Sequence, residues 1–196
     1  MRKAEIWGLP TPSVADTWCL LAAVLDLNDL VAAGDHILTP PRLFFGGRAT
    51  KPLASFEALT AAAARHKGGA GAAQLREALK MVRWPVDSPA ETELRLLIVS
   101  SGFSEPGVNC SVPTAGRELH ADLGYPRLRI AIDYEGAYHF ENGTEQARRD
   151  VERYEAMVAA GWRVLRVTAL DLRDPSSFLK RLVDAIAEAS SALFSR

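Results

Sequence analysis

The stretch RIAIDYEGAYHF, residues 129–140, begins as a buried β-strand and then changes character. Strand alternation places Ile130 and Ile132 on one face. Asp133 and Glu135 share the other face, two residues apart. Two carboxylates at roughly 6–7 Å repel by about 2–3 kcal/mol at an effective dielectric of about 20. We therefore expect a neutralising partner beside this strand.

The composition of the chain bounds its class. It has 196 residues, a formal net charge of -1 and an apolar fraction of about half, which predicts a packed protein without a global basic field. Cys19 and Cys110 lie far apart and match no metal-ligand spacing, so we expect buried thiols in a reducing compartment. No apolar run is long enough to span a bilayer, and no apolar signal core precedes the first prolines. These features predict a cytoplasmic protein that does not enter a membrane.

The first predicted domain, residues 1–85, is a helical region rich in Ala and Leu. Apolar residues recur at helical spacing in four segments, which begin near residues 13, 27, 55 and 72. Ser13 and Ser55 are the expected N-caps of the first and third helices. The segment RWPVDSP, residues 83–89, is the expected hinge to a second domain.

The second predicted domain, residues 88–196, has the element order α-β-β-β-α-β-α. Ser88 is the expected cap of its first helix, with Pro89 at the first helical position and Glu91 in the first turn. Three short strands, a crossover helix, a β-branched strand and an amphipathic helix follow. This order predicts an α/β fold with a mixed sheet flanked by helices. The predicted buried face of the crossover helix consists of Ala147, Val151, Tyr154 and Val158.

A third acid, Asp122, lies in an apolar strand just before the turn that leads back to Asp133. Simple hairpin register does not place the two opposite each other, so we expect strand divergence or a bulge. Mg²⁺ would neutralise acids that meet at one sheet edge, because it takes carboxylate oxygens and keeps its remaining waters. An exposed strand end, screened by water, is the alternative. Gly136 favours the metal site, because it lets the backbone turn sharply away after the acids. Three arginines on the next helix also favour it, since they are placed to face phosphate: Arg148, Arg149 and Arg153.

Three stretches of the second half carry motifs in a fixed order: SPAETELRLL (88–97), HADLGYPRLRIAIDYEGAYH (120–139) and ARRDVERYEAMVAAGWRVLRVTALDL (147–172). Together they resemble the very-short-patch-repair-like branch of the PD-(D/E)XK nuclease superfamily. The chain is similar to actinobacterial uncharacterised proteins that carry such a domain at the C-terminus. Its first half resembles their helical middle and abortive-infection antitoxins. Those relatives usually begin with a winged-helix segment, so we expect a shortened member or an incomplete reading frame.

The resemblance implies a restriction-endonuclease-like sheet and hydrolysis of phosphodiester bonds in DNA with Mg²⁺ or Mn²⁺. It implies that Asp122 and Asp133 bind the metal, with Glu91 helping directly or through water. Glu135 stands at the lysine position of the motif and would orient or deprotonate the attacking water. The other implied catalytic residues are His139, Arg149 and Asp150, and the implied nucleic-acid contacts are Arg148, Arg149, Arg153 and Tyr138. The family's Cys/His zinc cluster has no counterpart here, so no zinc site is expected.

Two functions remain open at this point. The first is a metal-dependent DNA endonuclease or nicking enzyme, which the four acids favour because an inactive relative has no physical need for them. The second is a catalytically silent nuclease-fold regulator that binds DNA or protein, which the antitoxin-like half favours. A nonfunctional fragment is a further alternative, in which a homodimer would cover exposed apolar surface.

Overall fold

The computed structural model describes the backbone of residues 3–6, 8–42, 47–136 and 144–194. Side chains are described for residues 8–42, 47–136 and 148–192. The chain divides into two compact units, Met1–Thr92 and Glu93–Arg196. The boundary falls inside a helix, a few residues beyond the segment predicted as a hinge. Over the described ranges, no helix has the length and apolar character needed to cross a membrane.

The first unit combines a small hairpin with helices. The antiparallel strands β1 (Lys3–Ile6) and β2 (Leu9–Pro12) form the hairpin, which the sequence did not predict because its prolines argue against strand pairing. The helices are α1 (Val14–Leu21), α2 (Leu27–Leu38), α3 (Phe56–Arg65), α4 (Ala72–Met81) and the beginning of α5 (Pro89–Ser100). The four predicted helices are therefore confirmed. Ser13 and Ser55 accept hydrogen bonds from the N–H groups three positions further along the chain, as predicted for N-caps.

Two buried side chains connect the helices of the first unit. Trp18 is fully buried, and its indole N–H donates to the carbonyl oxygen of Leu30 at 2.9 Å. Asp35 on α2 is 1% exposed. Its carboxylate accepts from the backbone N–H of Arg83 at 2.6 Å and from the Thr92 hydroxyl at 2.8 Å. Both side chains therefore satisfy their polar atoms inside the core.

The second unit contains a four-stranded mixed sheet, as predicted. Its strands lie in the order β3 (Gly107–Pro113), β4 (Glu118–Tyr125), β5 (Ile130–Glu135) and β6 (Arg163–Thr168). The first two neighbouring pairs are antiparallel, and β5 and β6 are parallel. Helix α6 (Thr144–Ala159) connects the parallel strands, and α7 (Ala169–Arg173) and α8 (Ser176–Phe194) complete the unit. The predicted element order is confirmed, with α7 as an additional short helix.

Both faces of the sheet are covered by helices, which confirms the predicted alternation of β5. Ile130 and Ile132 belong to a core cluster that includes buried residues of α8. Ala131 belongs to a second cluster on the opposite face, together with Met157 of α6. Cys110 lies in this second cluster as a buried free thiol, as predicted. Asp133 follows Ala131 in alternation, so it lies toward α6.

The predicted buried face of α6 is wrong. Met157 is fully buried, and Ala156 and Ala160 pack beside it. The larger side chains predicted as core are exposed instead: Val151 by 55%, Tyr154 by 42% and Val158 by 46%. Ala147 lies outside the described side chains. The alanines beside Met157 are small, so the helix face that carries them packs closely against the sheet. The face with the larger side chains therefore points into solvent.

Candidate active site

The turn between β4 and β5 brings two of the predicted acids together. A short 3-10 helix and Arg129, whose φ is 51°, connect the strands. The backbone ladder ends at the pair Leu123 and Ile132. The next opposing residues are Asp122 and Asp133, so the expectation that hairpin register would keep them from facing each other was wrong. The expected divergence is present, because the ladder stops where the two acids begin.

Side chains replace the ladder at this point. The backbone N–H of Asp122 donates to Asp133 Oδ1 at 3.2 Å. The backbone N–H of Tyr134 donates to Asp122 Oδ2 at 2.7 Å. Each carboxylate is therefore oriented by an amide of the opposite strand, which fixes both at the end of the strand pair.

Asp122 also marks a break in the alternation of β4. Ala121 belongs to the cluster beneath α6, whereas Leu123 belongs to the cluster beneath α8. Residues two apart on a regular strand would share a face. On the neighbouring strand, Asn109 adopts a positive φ of 44° next to the paired residues Cys110 and Ala121. The sheet is therefore distorted across two strands at Asp122.

Arg153 of α6 binds the acid pair from the helix side. Its Nη1 donates to Asp133 Oδ2 at 2.8 Å, and its Nη2 donates to Asp133 Oδ1 at 3.2 Å. Nη2 also donates to the carbonyl oxygen of His120. Burial by itself would lower the pKa of Arg153, but the hydrogen bond and charge of Asp133, with the charges of Asp122 and Asp150, raise it. The guanidinium is therefore a permanent cation at this position.

Glu135 has a different arginine. It forms an ion pair with Arg166 of β6, and Arg166 is the register partner of Asp133. The pair is more open than the first, with side-chain exposures of 29% for Glu135 and 58% for Arg166. Each acid of the Asp-x-Glu pair thus has an arginine partner, whereas the sequence analysis assigned their neutralisation to Mg²⁺.

Glu91 belongs to the first unit, where it stabilises the beginning of α5. Its Oε1 accepts from the Ser88 hydroxyl at 2.8 Å, and its Oε2 accepts from the Asp87 backbone N–H at 2.9 Å. Ser88 in turn accepts from the N–H of Glu91 at 3.3 Å, which fits its predicted role as N-cap. Burial and the nearby charge of Asp87 raise the pKa of Glu91 above its ordinary value. The local contacts of Glu91 are those of a cap, and its role toward metal stays a prediction.

The remaining predicted residues lie at the beginning of α6 or outside the described residues. Arg148 forms an exposed i, i+4 ion pair with Glu152. Arg149 is exposed. Asp150 is partly buried, and its charge helps to raise the pKa of Arg153. Tyr138 and His139 lie outside the described residues. The structure therefore brings Asp122, Asp133 and Arg153 into direct contact, with Glu135 and Arg166 beside them.

The predicted Mg²⁺ needs oxygen donors, which the acid pair contains. In the described part of the chain, no group of three or more His, Cys, Asp or Glu side chains has the arrangement of a metal site. Mg²⁺ in proteins is, however, often held by one or two carboxylates together with waters and substrate phosphates. Asp122 and Asp133 supply two carboxylates with hard oxygen donors, and the guanidinium on Asp133 marks a place where a cation is favourable. The pair therefore fits Mg²⁺ or Mn²⁺.

The sequence analysis did not assign Arg166 to the site. A signal for it is present in the strand RVLRVT, where Arg166 alternates with Leu165 and Val167. Those two residues pack in the cluster beneath α8. Arg166 must then project from the same face as the acids.

Comparison with known proteins finds distant relatives. The chain is 26% identical over 133 residues to "Uncharacterized protein MT2308" of Mycobacterium tuberculosis strain CDC 1551 / Oshkosh. It matches "Uncharacterized protein Rv2248" of strain ATCC 25618 / H37Rv to the same extent. The matched region covers 67% of this chain and 49% of each relative, so the chain spans about half the length of the curated relatives. No family model matches the chain. No solved structure matches it either.

Proposed function

We propose that the second unit is a metal-dependent phosphodiesterase that cleaves or nicks DNA in the cytoplasm. The observation that carries this proposal is the contact between Asp122 and Asp133 at the point where β4 and β5 separate. Backbone amides orient one oxygen of each carboxylate, so the pair is held in place before any ligand arrives. Preorganised carboxylates at a strand end are the donors that a hard divalent cation needs.

Bound Mg²⁺ or Mn²⁺ would supply Lewis-acid activation of the scissile phosphate and a water of lowered pKa. Asp122 and Asp133 would hold it. Glu135 lies two residues from Asp133 on the same face, so its carboxylate would orient the attacking water or take its proton. Arg149, exposed near the beginning of α6, would neutralise charge that develops on the phosphate.

Contacts to the nucleic-acid backbone would come from the same end of α6. Arg148 and Arg149 are both exposed there, and a DNA phosphate would compete with Glu152 for Arg148. Tyr138 and His139 precede this helix and are the proposed base and water contacts. Binding through arginines to phosphate is expected to weaken steeply as salt rises.

A silent regulator that binds DNA or protein is the second candidate. One observation favours it: each acid of the Asp-x-Glu pair already has an arginine partner, Arg153 for Asp133 and Arg166 for Glu135. Acids neutralised within the protein have no electrostatic need of a metal. The two candidates therefore differ in whether a divalent cation binds at the acid pair and DNA is cut.

A plasmid-nicking assay tests the proposal. Supercoiled DNA is incubated with the full chain and Mg²⁺, Mn²⁺ or EDTA, and Asp122→Asn/Asp133→Asn is compared with the wild type. Asp184→Asn serves as the matched control, because Asp184 is an exposed acid of the same unit paired with Lys180. We expect metal-dependent nicking by the wild type and the control, and a loss of about 100-fold or more in the double variant. DNA binding without cleavage in every protein would favour the regulator.

A further inference from the structure

We propose that Arg153 is an internal counter-ion of the acid pair, which exchanges with a divalent cation and thereby sets the metal affinity of the site. The inference rests on the proposed function, since it concerns the same carboxylates, Asp122 and Asp133. It gives Arg153 a role in metal binding in addition to the phosphate contact that the sequence predicts.

The first support is the completeness of the contact. Arg153 donates to both oxygens of Asp133 and also to the carbonyl oxygen of His120. Two-point binding is the strongest arrangement that arginine and a carboxylate form. The Asp133 carboxylate is 13% exposed and the Arg153 side chain 33% exposed. The guanidinium therefore covers the acid on its accessible side.

The second support is the way in which Arg153 is anchored. It lies one helical turn before Met157, which is fully buried against the sheet. Residues four apart project from the same side of a helix, so burial of Met157 directs Arg153 toward the strand ends. The packing that exposes the stripe predicted as core is the same packing that places this cation over Asp133.

The ion pair of Arg153 differs from that of Arg148, an arginine earlier on the same helix. Arg148 pairs with Glu152 on the surface, and their side chains are 58% and 51% exposed. An exposed pair of this kind contributes little and is easily replaced by water. Arg153 instead neutralises an acid that would otherwise face a second carboxylate at close range, so its loss leaves repulsion that a metal ion can relieve.

Competition follows from the positions of the charges. A divalent cation on Asp133 needs an oxygen that now accepts from Arg153, and the two positive charges would repel if both remained in place. We therefore expect metal binding to displace Arg153 from Asp133, so that the site holds either the guanidinium or the metal. Once displaced, the guanidinium has the planar geometry that matches a phosphate group.

The test is calorimetric titration of Mn²⁺ into the full chain, with thermal unfolding as a second readout. Arg153→Met keeps most of the apolar stem and removes the charge, and Arg153→Lys keeps a charge without two-point binding. Lys180→Met is the matched control, because Lys180 forms an ion pair with Asp184 away from the acids. We expect Arg153→Met to bind Mn²⁺ about tenfold more tightly than the wild type. Arg153→Lys is expected between the two, and the control should equal the wild type.

Thermal unfolding gives the matching pattern. Arg153→Met should melt below the wild type without metal, and saturating Mn²⁺ should raise its Tm by more than that of the wild type. Equal or weaker Mn²⁺ binding by Arg153→Met, in a series where Asp133→Asn abolishes binding, overturns the counter-ion role and leaves the metal site intact. If Arg153→Met does not fold, tighter binding by Arg153→Lys supports the proposal and unchanged binding overturns it. Absence of Mn²⁺ binding from every protein overturns both this proposal and the proposed function.

Discussion

Two aspartates of this molecule are withdrawn from solvent in different ways. Asp35 in the first unit is 1% exposed and accepts from a backbone N–H and a hydroxyl. Asp133 in the second unit lies at a strand end and accepts from a guanidinium at both oxygens. The donors of Asp35 belong to the folded backbone and to a buried threonine. The cation of Asp133 comes from a side chain that remains one-third exposed.

The difference separates an acid held by the core of its unit from one held by a partly exposed side chain. Displacing the donors of Asp35 would require opening the core of the first unit, because Arg83 contributes its main chain. Displacing Arg153 from Asp133 requires only rotation of a long side chain toward solvent. We therefore expect substitution at Asp35 to act on folding, and substitution at Asp133 to act on both folding and ligand binding.

The largest effect is expected for Asp35→Ala. Loss of the carboxylate leaves the Arg83 N–H and the Thr92 hydroxyl buried without this acceptor, which lowers the free energy of unfolding by about 2–4 kcal/mol. Urea denaturation followed by circular dichroism measures the change. Asp35→Asn retains one acceptor oxygen and should cost less. A loss of stability smaller than the roughly 0.3–0.5 kcal/mol expected for the surface variant Arg148→Ala would contradict the structural role of Asp35.

Asp133→Asn is expected to lower the free energy of unfolding by about 1–2 kcal/mol, because Arg153 loses its charged partner while one-third of it stays hydrated. The same substitution should abolish Mn²⁺ binding in calorimetry. Asp122→Asn is the informative companion, since it leaves the Arg153 ion pair in place and removes charge from the other carboxylate. Retention of full metal affinity in Asp133→Asn would place the metal elsewhere.

Glu91→Gln tests a carboxylate whose contacts are those of a cap. The pKa of Glu91 is raised above its ordinary value of 4.5, chiefly by burial. The folded state therefore holds this proton more tightly, so the associated stability is present below pH 4.5 and is lost as pH rises through the folded pKa. We expect the variant to gain stability relative to the wild type between pH 4 and pH 7. Urea denaturation at several pH values checks this. A free energy of unfolding of the variant that falls relative to that of the wild type as pH rises would have the wrong sign.

The smallest effect is expected for Arg148→Ala. Its exposed i, i+4 pair with Glu152 should contribute about 0.3–0.5 kcal/mol to stability. The same variant should weaken binding to labelled duplex DNA at low salt and show a shallower salt dependence. Fluorescence anisotropy over a salt series provides the measurement. Unchanged DNA affinity would remove Arg148 from the proposed interface.

Local sequence signals were sufficient to predict most elements. Ser13, Ser55 and Ser88 each precede an apolar periodic segment, and each caps the helix that follows. The alternation of Ile130 and Ile132 with Asp133 was also predictable, because a strand has only two faces. These features depend on neighbours within a few residues, which is the range over which spacing and capping operate.

Contacts between distant segments were not predictable in the same way. The rotation of α6 about its axis depends on which of its faces packs against the sheet. The face with Met157 and small residues is buried, and the face with the larger Val151 and Tyr154 is exposed. The partners of the acids depend on that rotation and on the register of β6, so neither Arg153 nor Arg166 was assigned to its acid. The hairpin at the N-terminus was missed because Pro10 and Pro12 argue against strands when read singly.

The length of the four-residue connection between β4 and β5 sets the strand register that brings Asp122 and Asp133 opposite each other. Because side chains alternate along a strand, one residue added to or removed from the turn around Arg129 would direct Asp133 toward α8 and away from Arg153. A homologue that retained both aspartates but changed this turn would carry the acids without the site. Turn length, read together with the two acids, is therefore a better marker of a shared acid-pair geometry among distant relatives than the acids alone.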